Sequence, residues 1–511
     1  MVAHFDNTRD VFEQRLQALS RSQCERLILD YLDINEDFAT WLDTRLIVAH
    51  AQTGESIDPK LLLHSVETVF FMRPMRHRWR HQTVLDIDEP ALDELVDAIE
   101  LLLGSGRGQD ALTVLVPTAA TLAKHWPECA DHDETLHQYF PKLDALIAQA
   151  VLMTDIPRDF REDLVDDLND WQNRVAEYGA DMAFSTAIDA ALRGWDDPGL
   201  EDVLLGHIQS WAPTGKEDSS ERRLTQARLA ALSGSGRYDA YLNLSRSADF
   251  YCEHSAMLAQ VGRVEDAVKI AKKQLSRHND IQRVAESIMA AGQSDTALAL
   301  ADWGLSLPLQ DDNNLLRSSS SVSLVVLARW LRDTAHRFGR QDLAVKAAQA
   351  AFEQSFSRQD FRDAFKVSNT AAWPTFREDL IRSLLAAPYA TDRIEILLEE
   401  DRIDDAVSCV DPVKTHVSVY ATDLQRLAER AYAKHPEWTI ALAFRAAKPI
   451  MDEGRSKYYQ IAADWLAIAA RAHRASGQSQ HWQIEIDTLI HKHFRKYGLR
   501  PLLQALRDHA H

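Results

Sequence analysis

Apolar residues along this chain recur mostly at three- and four-residue intervals, the period of a helix with one buried face. In Arg158–Asp170 and just beyond, Phe160, Leu164, Leu168 and Trp171 form such a stripe, with most of the acidic residues off it. The spacing predicts an exposed amphipathic helix there. Tyr458, Ala462, Trp465, Ala469 and Ala472 follow i, i+4, i+7, i+11, i+14 and predict a second helix whose stripe is core. Period-two alternation of useful length does not appear, so the expected fold is all-α.

Within the helical pattern one phrase recurs. Gly106-Arg-Gly-Gln-Asp-Ala111, Gly262-Arg-Val-Glu-Asp-Ala267, Gly292-Gln-Ser-Asp-Thr-Ala297 and Gly339-Arg-Gln-Asp-Leu-Ala344 share a glycine and an alanine five positions later. Asp401-Arg-Ile-Asp-Asp-Ala406 puts aspartate in the glycine place, and Gly236-Arg-Tyr-Asp-Ala-Tyr241 is a degenerate copy. Nine positions after each start stand Leu115, Ala271, Ala301, Ala348, Val410 and Ser245. Glycine suits the left-handed residue that ends one helix. The acids then fall in the first turn of the next, where the helix dipole favours them. Small residues four apart share a face and let helices approach closely. The unit is that of a tetratricopeptide-like array, an α-solenoid of stacked helix pairs. Its spacing is irregular: 30 residues from Gly262 to Gly292, 47 from Gly292 to Gly339.

Two polar segments interrupt the pattern. Ala212–Ser220 predicts a loop between an N-terminal helical region, 1–211, and the repeat array with its C-terminal capping helices, 221–511. Pro308–Asn314 with Ser318–Ser321 predicts a long inter-helix loop that accounts for the wider spacing.

Composition agrees with helices and narrows the function classes. The chain carries 18 Gly and 16 Pro in 511 residues, where average usage gives about 36 and about 26. Turn-rich β architectures need more. A net charge of -20 repels phosphate backbones at long range and leaves nucleic-acid binding only to a local basic patch. Cys24, Cys129, Cys252 and Cys409 lie far apart without a CxxC pair, which fits a reducing cytosol and no zinc ribbon. The first ten residues hold no apolar signal-peptide core, and the apolar run around Val322–Leu331 is short of the ~20 residues a bilayer requires. The expected location is the cytoplasm, with no membrane partner.

The C-terminal block is more specific. Ile450-Met-Asp-Glu-Gly-Arg-Ser-Lys-Tyr-Tyr459 is followed by Ala462, Trp465-Leu466, Ala469, Gly477, Trp482 and His493-Phe-Arg-Lys-Tyr-Gly-Leu-Arg-Pro-Leu502. With Asp401–Ala406 and Pro436-Glu-Trp438 upstream, this resembles the C-terminal helical region of bacterial SWIM zinc-finger family proteins, above all over 390–505. The resemblance implies an α-helical repeat region and supplies no catalytic residues. The family's Cys-x-Cys and Cys-x-His finger is missing here, so the zinc module is absent or lies on another polypeptide. Read from the residues alone, the basic ending is placed near a helix C-terminus, capped by Gly498 with Pro501 beyond.

Four clusters offer chemistry. Arg73, Arg76, Arg78, Trp79 and Arg80 form the most basic stretch of an acidic chain. They suit phosphates, a stacked base or an acidic partner, against the commoner reading of a solvated helix end. Lys492, Arg495, Lys496 and Arg500 form a second basic group. His125, Cys129, His132 and His137 are zinc-type ligands at spacings that match no metal motif, so a polar loop is the better reading and no metal is expected. Gly104-Ser-Gly-Arg-Gly108 lacks the Lys-Ser/Thr and the strand of a phosphate loop. No hydrolase, metalloprotease or kinase motif set is present. The expected function is therefore a non-catalytic scaffold or adaptor that binds a protein in a bacterial multiprotein assembly, without cofactors. The alternative is a nucleic-acid-binding subunit working through its arginine patch.

Overall fold

Each copy of the repeated phrase closes one helix and opens the next. Gly106, Gly236, Gly262, Gly292 and Gly339 have φ between 69° and 85°, and Asp401 takes the same left-handed conformation at 56°. The amide after each of them donates to the carbonyl five positions back, from Arg107 to Leu102 through to Arg402 to Leu397, at 2.8–3.1 Å. This is the Schellman closure, which satisfies carbonyls that a helix end leaves unpaired. The next helix then carries an acid in its first turn, as Asp110, Asp239, Asp295 and Asp342 show. Two of the turns also carry an ion pair, Arg107–Asp110 and Arg402–Asp405, both at 2.6 Å. Ala111, Ala267, Ala297, Ala344 and Ala406 are fully buried, as are Leu115, Ala271, Ala301 and Ala348 four residues on.

These features belong to a computed structural model that describes residues 19–32, 42, 59–77, 80–87, 89–129, 136–211, 219–309 and 319–508. The chain forms two compact units, Met1–Arg263 and Val264–His511. The residues 212–218, where sequence places a boundary, lie outside the described set, and the helix that follows them packs within the first unit.

In the first unit, helix α1 (Arg21–Leu32) is followed by α2 (Pro59–Val69), strands β1 (Phe70–His77) and β2 (Arg80–Ile87), α3 (Glu89–Gly104) and α4 (Gly108–Cys129). Then come α5 (Tyr139–Met153), α6 (Arg158–Ala176), α7 (Ser185–Arg193), α8 (Leu200–Leu204), α9 (Ser219–Gly234), α10 (Tyr238–Ser247) and α11 (Tyr251–Gln260). Helix α5 lies at its centre, packed on α4, α7 and α9. A core of leucine, isoleucine and alanine runs through these helices, joined by edge-to-face contacts among Trp126, Phe140, Phe184 and Trp171. Helix α6 forms as the pattern predicts, burying Leu164, Leu168 and Trp171, but Phe160 at its first turn is 49% exposed.

The second unit continues with α12 (Val264–Gln274), α13 (His278–Ala290), α14 (Ser294–Gly304), α15 (Ser319–Arg337), α16 (Gln341–Ser355), α17 (Arg358–Val367) and α18 (Trp373–Ala386). It ends with α19 (Arg393–Glu399), α20 (Ile403–Ser408), α21 (Thr422–Ala431), α22 (Pro436–Asp452), α23 (Tyr459–Ala475), α24 (Ser479–Lys492) and α25 (Arg500–Asp508). Sequential neighbours pack as pairs, α13 on α14 and α15 on α16. Alternate helices also touch, α13 with α15, α19 with α21 and α23 with α25. That pattern is the stacking of a helical-repeat array.

The all-α expectation holds for the architecture, and four details of it need correction here. The all-α pattern has an exception, because β1 and β2 pair antiparallel from Phe70↔Ile87 to His77↔Arg80. The arginine run hides its alternation, and a two-stranded sheet, all edge, tolerates Pro74. The stripe of α23 starts at buried Tyr459, not at Tyr458, which lies in a preceding 3-10 turn. Pro501 opens α25 rather than following the last helix, and Gly498 is not among the left-handed glycines. Proline is favoured in a helix's first turn, where its missing N–H is no loss. Ser319–Ser321 begin α15, and 310–318 lie outside the described residues.

Candidate interaction site

The arginine cluster falls on the hairpin, not on a helix end. Arg73 and Arg76 occupy β1 and Arg80 begins β2, while Arg78 and Trp79 lie outside the described residues. The register pairs Arg73 with Val84, Arg76 with His81 and His77 with Arg80. Helix α2 packs against β1 and α4 against β2.

The second basic group is divided. Helix α22 ends at Asp452, where its last carbonyls point out of the helix. Lys496 Nζ donates to the Met451 carbonyl and, at 3.2 Å, to that of Asp452. Lys492 Nζ lies 2.7 Å from the Asp452 carboxylate. Lys496 therefore caps a helix of its own chain, and Lys492 pairs with the side chain at that helix's end. Arg495 rests over the Phe494 ring at 5.2 Å, and Arg500 is exposed at the start of α25.

Of the zinc-type cluster, His137 Nε2 lies 3.2 Å from the Gly179 carbonyl and its ring meets Trp126 edge-on. His132 lies outside the described residues, and no group of three metal-ligating side chains occurs among those described.

Two concave features are not anticipated by any sequence motif. In the second unit, α13 and α15 leave a cleft of about 460 Å3. Met289, Ala290, Trp330, Thr334 and Phe338 line it with the charged Glu286, Asp333 and Arg337. Phe338 stands 48% exposed beside the Gly339 turn. The turn that closes α15 thus presents an aromatic ring next to a half-buried tryptophan, the residue types enriched where proteins dock.

In the first unit, α5, the 180–183 loop, α7 and α9 enclose a cavity of about 400 Å3. Asp144 lines it and is 4% exposed. Its carboxylate accepts the amides of Ala187 at 2.7 Å and Thr186 at 3.2 Å, the first turn of α7. Burial pushes its pKa up to about 6, against those hydrogen bonds and the nearby Arg223. The signal in sequence is one acid in the otherwise apolar stretch Leu143-Asp-Ala-Leu-Ile147.

No helix among the described residues is long and apolar enough to cross a membrane. No family model matches the chain, and no curated protein matches it. Among solved structures, a circular tandem repeat protein with novel repeat topology and enhanced subunit contact surfaces matches 93% of this chain and 98% of its own, at 15% identity and a TM-score of 0.18. A likeness of that degree carries no argument.

Proposed function

We propose that this chain is a non-catalytic scaffold that binds a protein partner within a bacterial multiprotein assembly, in the cytoplasm. The observation that carries this reading is the cleft between α13 and α15, with Trp330 and Phe338 in its wall. Stacked helix pairs offer such grooves to a helix or extended segment, which anchors an apolar side chain in the groove. The C-terminal likeness to SWIM zinc-finger family proteins supports a partner that itself bears a finger or processes nucleic acid. Affinity purification of the tagged chain from its own cells, followed by mass spectrometry, tests it. A stoichiometric protein that is lost with Phe338→Ala supports the reading; a solitary chain, or a partner indifferent to that change, counts against it.

A second reading, direct nucleic-acid binding, is favoured by the hairpin. The paired strands bring Arg73, Arg76 and Arg80 together with His77 and His81 on one short ribbon, a form that other proteins lay into DNA grooves. Binding should weaken steeply with salt and vanish in the Arg76→Glu, Arg78→Glu, Arg80→Glu triple variant. Salt-insensitive or undetectable binding sinks it.

A further inference from the structure

We propose that the cavity enclosed by α5, α7 and α9 is a binding site for an amphipathic small-molecule monocarboxylate, with its carboxylate on Arg223 and its apolar body against Phe140, Leu146 and Met182. Arg223 lines the cavity and its Nη2 donates to Ser185 Oγ at 3.1 Å. Its Nε is buried from solvent and has no hydrogen-bond partner. A buried guanidinium N–H without an acceptor is costly, and an oxygen placed in the cavity removes that penalty. A volume of about 400 Å3 falls within the range of pockets that enclose small ligands.

The neighbouring charges select the ligand class. Asp144 is already matched by the two amides that open α7, so it does not call for a cationic ligand. Its negative charge, with that of Asp181 in the cavity wall, disfavours a dianion such as a phosphate monoester. One negative charge on an otherwise apolar body is what remains. The lip of the cavity supplies an independent observation. Met182, 53% exposed and part of the wall, holds φ at 58°, a left-handed conformation that non-glycine residues adopt at a cost. Such strain gathers at ligand sites, where the surroundings fix a loop in place.

Calorimetric titration of the full chain tests the assignment, using octanoate, 1-octanol, octylamine and acetate as probes. Octanoate should bind saturably at one site. The alcohol and the amine should bind about tenfold more weakly or less, as loss of a charge-assisted hydrogen bond implies. Acetate, lacking the apolar body, should show no binding at the same concentrations. Arg223→Gln should abolish the preference for octanoate over octanol. Gln226→Trp provides a second variant if Arg223→Gln does not fold: Gln226 is exposed and lines the cavity, so an indole there should block entry. Octanol or octylamine binding as tightly as octanoate overturns the proposal. So does octanoate binding that survives both variants, or no saturable octanoate binding at all.

Discussion

Arg329 grips Asp360 with two parallel hydrogen bonds, Nε to Oδ1 at 2.8 Å and Nη2 to Oδ2 at 2.7 Å, and so ties α15 to the first turn of α17. Asp360 is 1% exposed. Ser357 completes the arrangement: its hydroxyl accepts the Asp360 amide at 3.1 Å and donates to the carboxylate at 2.8 Å. A helix cap and an inter-helix ion pair thus share one carboxylate.

Asp360→Ala should therefore destabilise the second unit by about 2–3 kcal/mol, somewhat less than a wholly buried pair because Arg329 is 43% exposed. Burial opposes the charge on Asp360, but hydrogen bonds from Arg329, Ser355 and Ser357 win and hold its pKa below the ordinary 3.8. A depressed carboxyl contributes stability above the unfolded pKa and loses it as pH falls through the folded one. The difference between wild type and Asp360→Ala should hold from neutral pH down to about 4 and shrink below that. Denaturant unfolding at several pH values measures both; a gap that stays constant into strong acid contradicts the assignment.

Gly234 and Gly236 should respond differently to alanine although they are two residues apart. A Cβ on Gly236 meets nothing within 4 Å, so its φ of 69° is the whole penalty, about 1–2 kcal/mol. A Cβ on Gly234 would stand 2.5 Å from the Leu103 carbonyl oxygen and 2.9 Å from Met153 Cε. The Leu103 contact is to backbone, so α9 must shift away from α3. Gly234→Ala should be the more damaging change, despite alanine's better helix propensity. Equal melting temperatures for the two variants would show that the helices separate freely.

The turns were legible in the sequence because their requirement is local. A glycine followed at five positions by alanine and at nine by a small or apolar residue states a left-handed turn and a buried face, and every copy, the degenerate one at Gly236 included, makes that turn. Aspartate at 401 obeys the same rule with a residue that tolerates φ of 56°. The hairpin was not legible, since Arg73–His81 lacks alternation and Pro74 speaks against a strand. Its pairing is a tertiary outcome. The concave features were hidden for a related reason. The Asp144 cavity draws on residues near 140, 182 and 226, and the α13–α15 cleft on residues near 288 and 334. No periodicity within one segment encodes such a meeting. Phe160 shows the limit from the other side: it keeps the helical period of α6, yet the core ends before reaching it.

Acidification should loosen the second unit before its carboxylates titrate. His278, His473 and His493 are 1%, 1% and 4% exposed. Burial lowers the pKa of each, overriding Glu485 at 3.1 Å from His473 and Asp452 at 3.4 Å from His493. The unfolded chain then takes up protons near pH 6.5 that the folded chain refuses, so stability present above that pH is lost below it. Hydrogen exchange over 278–290 and 459–475 should quicken, corrected for intrinsic rates, from pH 7.5 to 5.5, and His278→Gln should lessen the effect over the first segment. Unchanged protection in that window would mean that these rings are protonated while folded. In the first unit Asp144, raised to about 6 by burial, works in the opposite sense, since a raised carboxyl pKa favours the fold as pH falls.

The cleft gives the last test, and it separates recognition from stability. Phe338 is 48% exposed, so Phe338→Ala removes little buried area and should lower stability by less than about 1 kcal/mol. An aromatic anchor that a partner covers behaves otherwise. Its truncation removes about 2 kcal/mol of binding, about thirtyfold in affinity. The two quantities, read by thermal unfolding and by titration with the purified partner, should thus diverge for this one side chain. Ala328, fully buried on the helix that Phe338 follows, should do the reverse: Ala328→Leu overpacks the core and lowers stability before it touches binding. Salt then identifies the surface in use. Burial of Trp330 and Phe338 is nearly insensitive to ionic strength, whereas engagement through Arg73, Arg76 and Arg80 is not. A partner whose affinity falls steeply from 50 to about 200 mM salt, and survives Phe338→Ala, would move the binding site from the cleft to the hairpin.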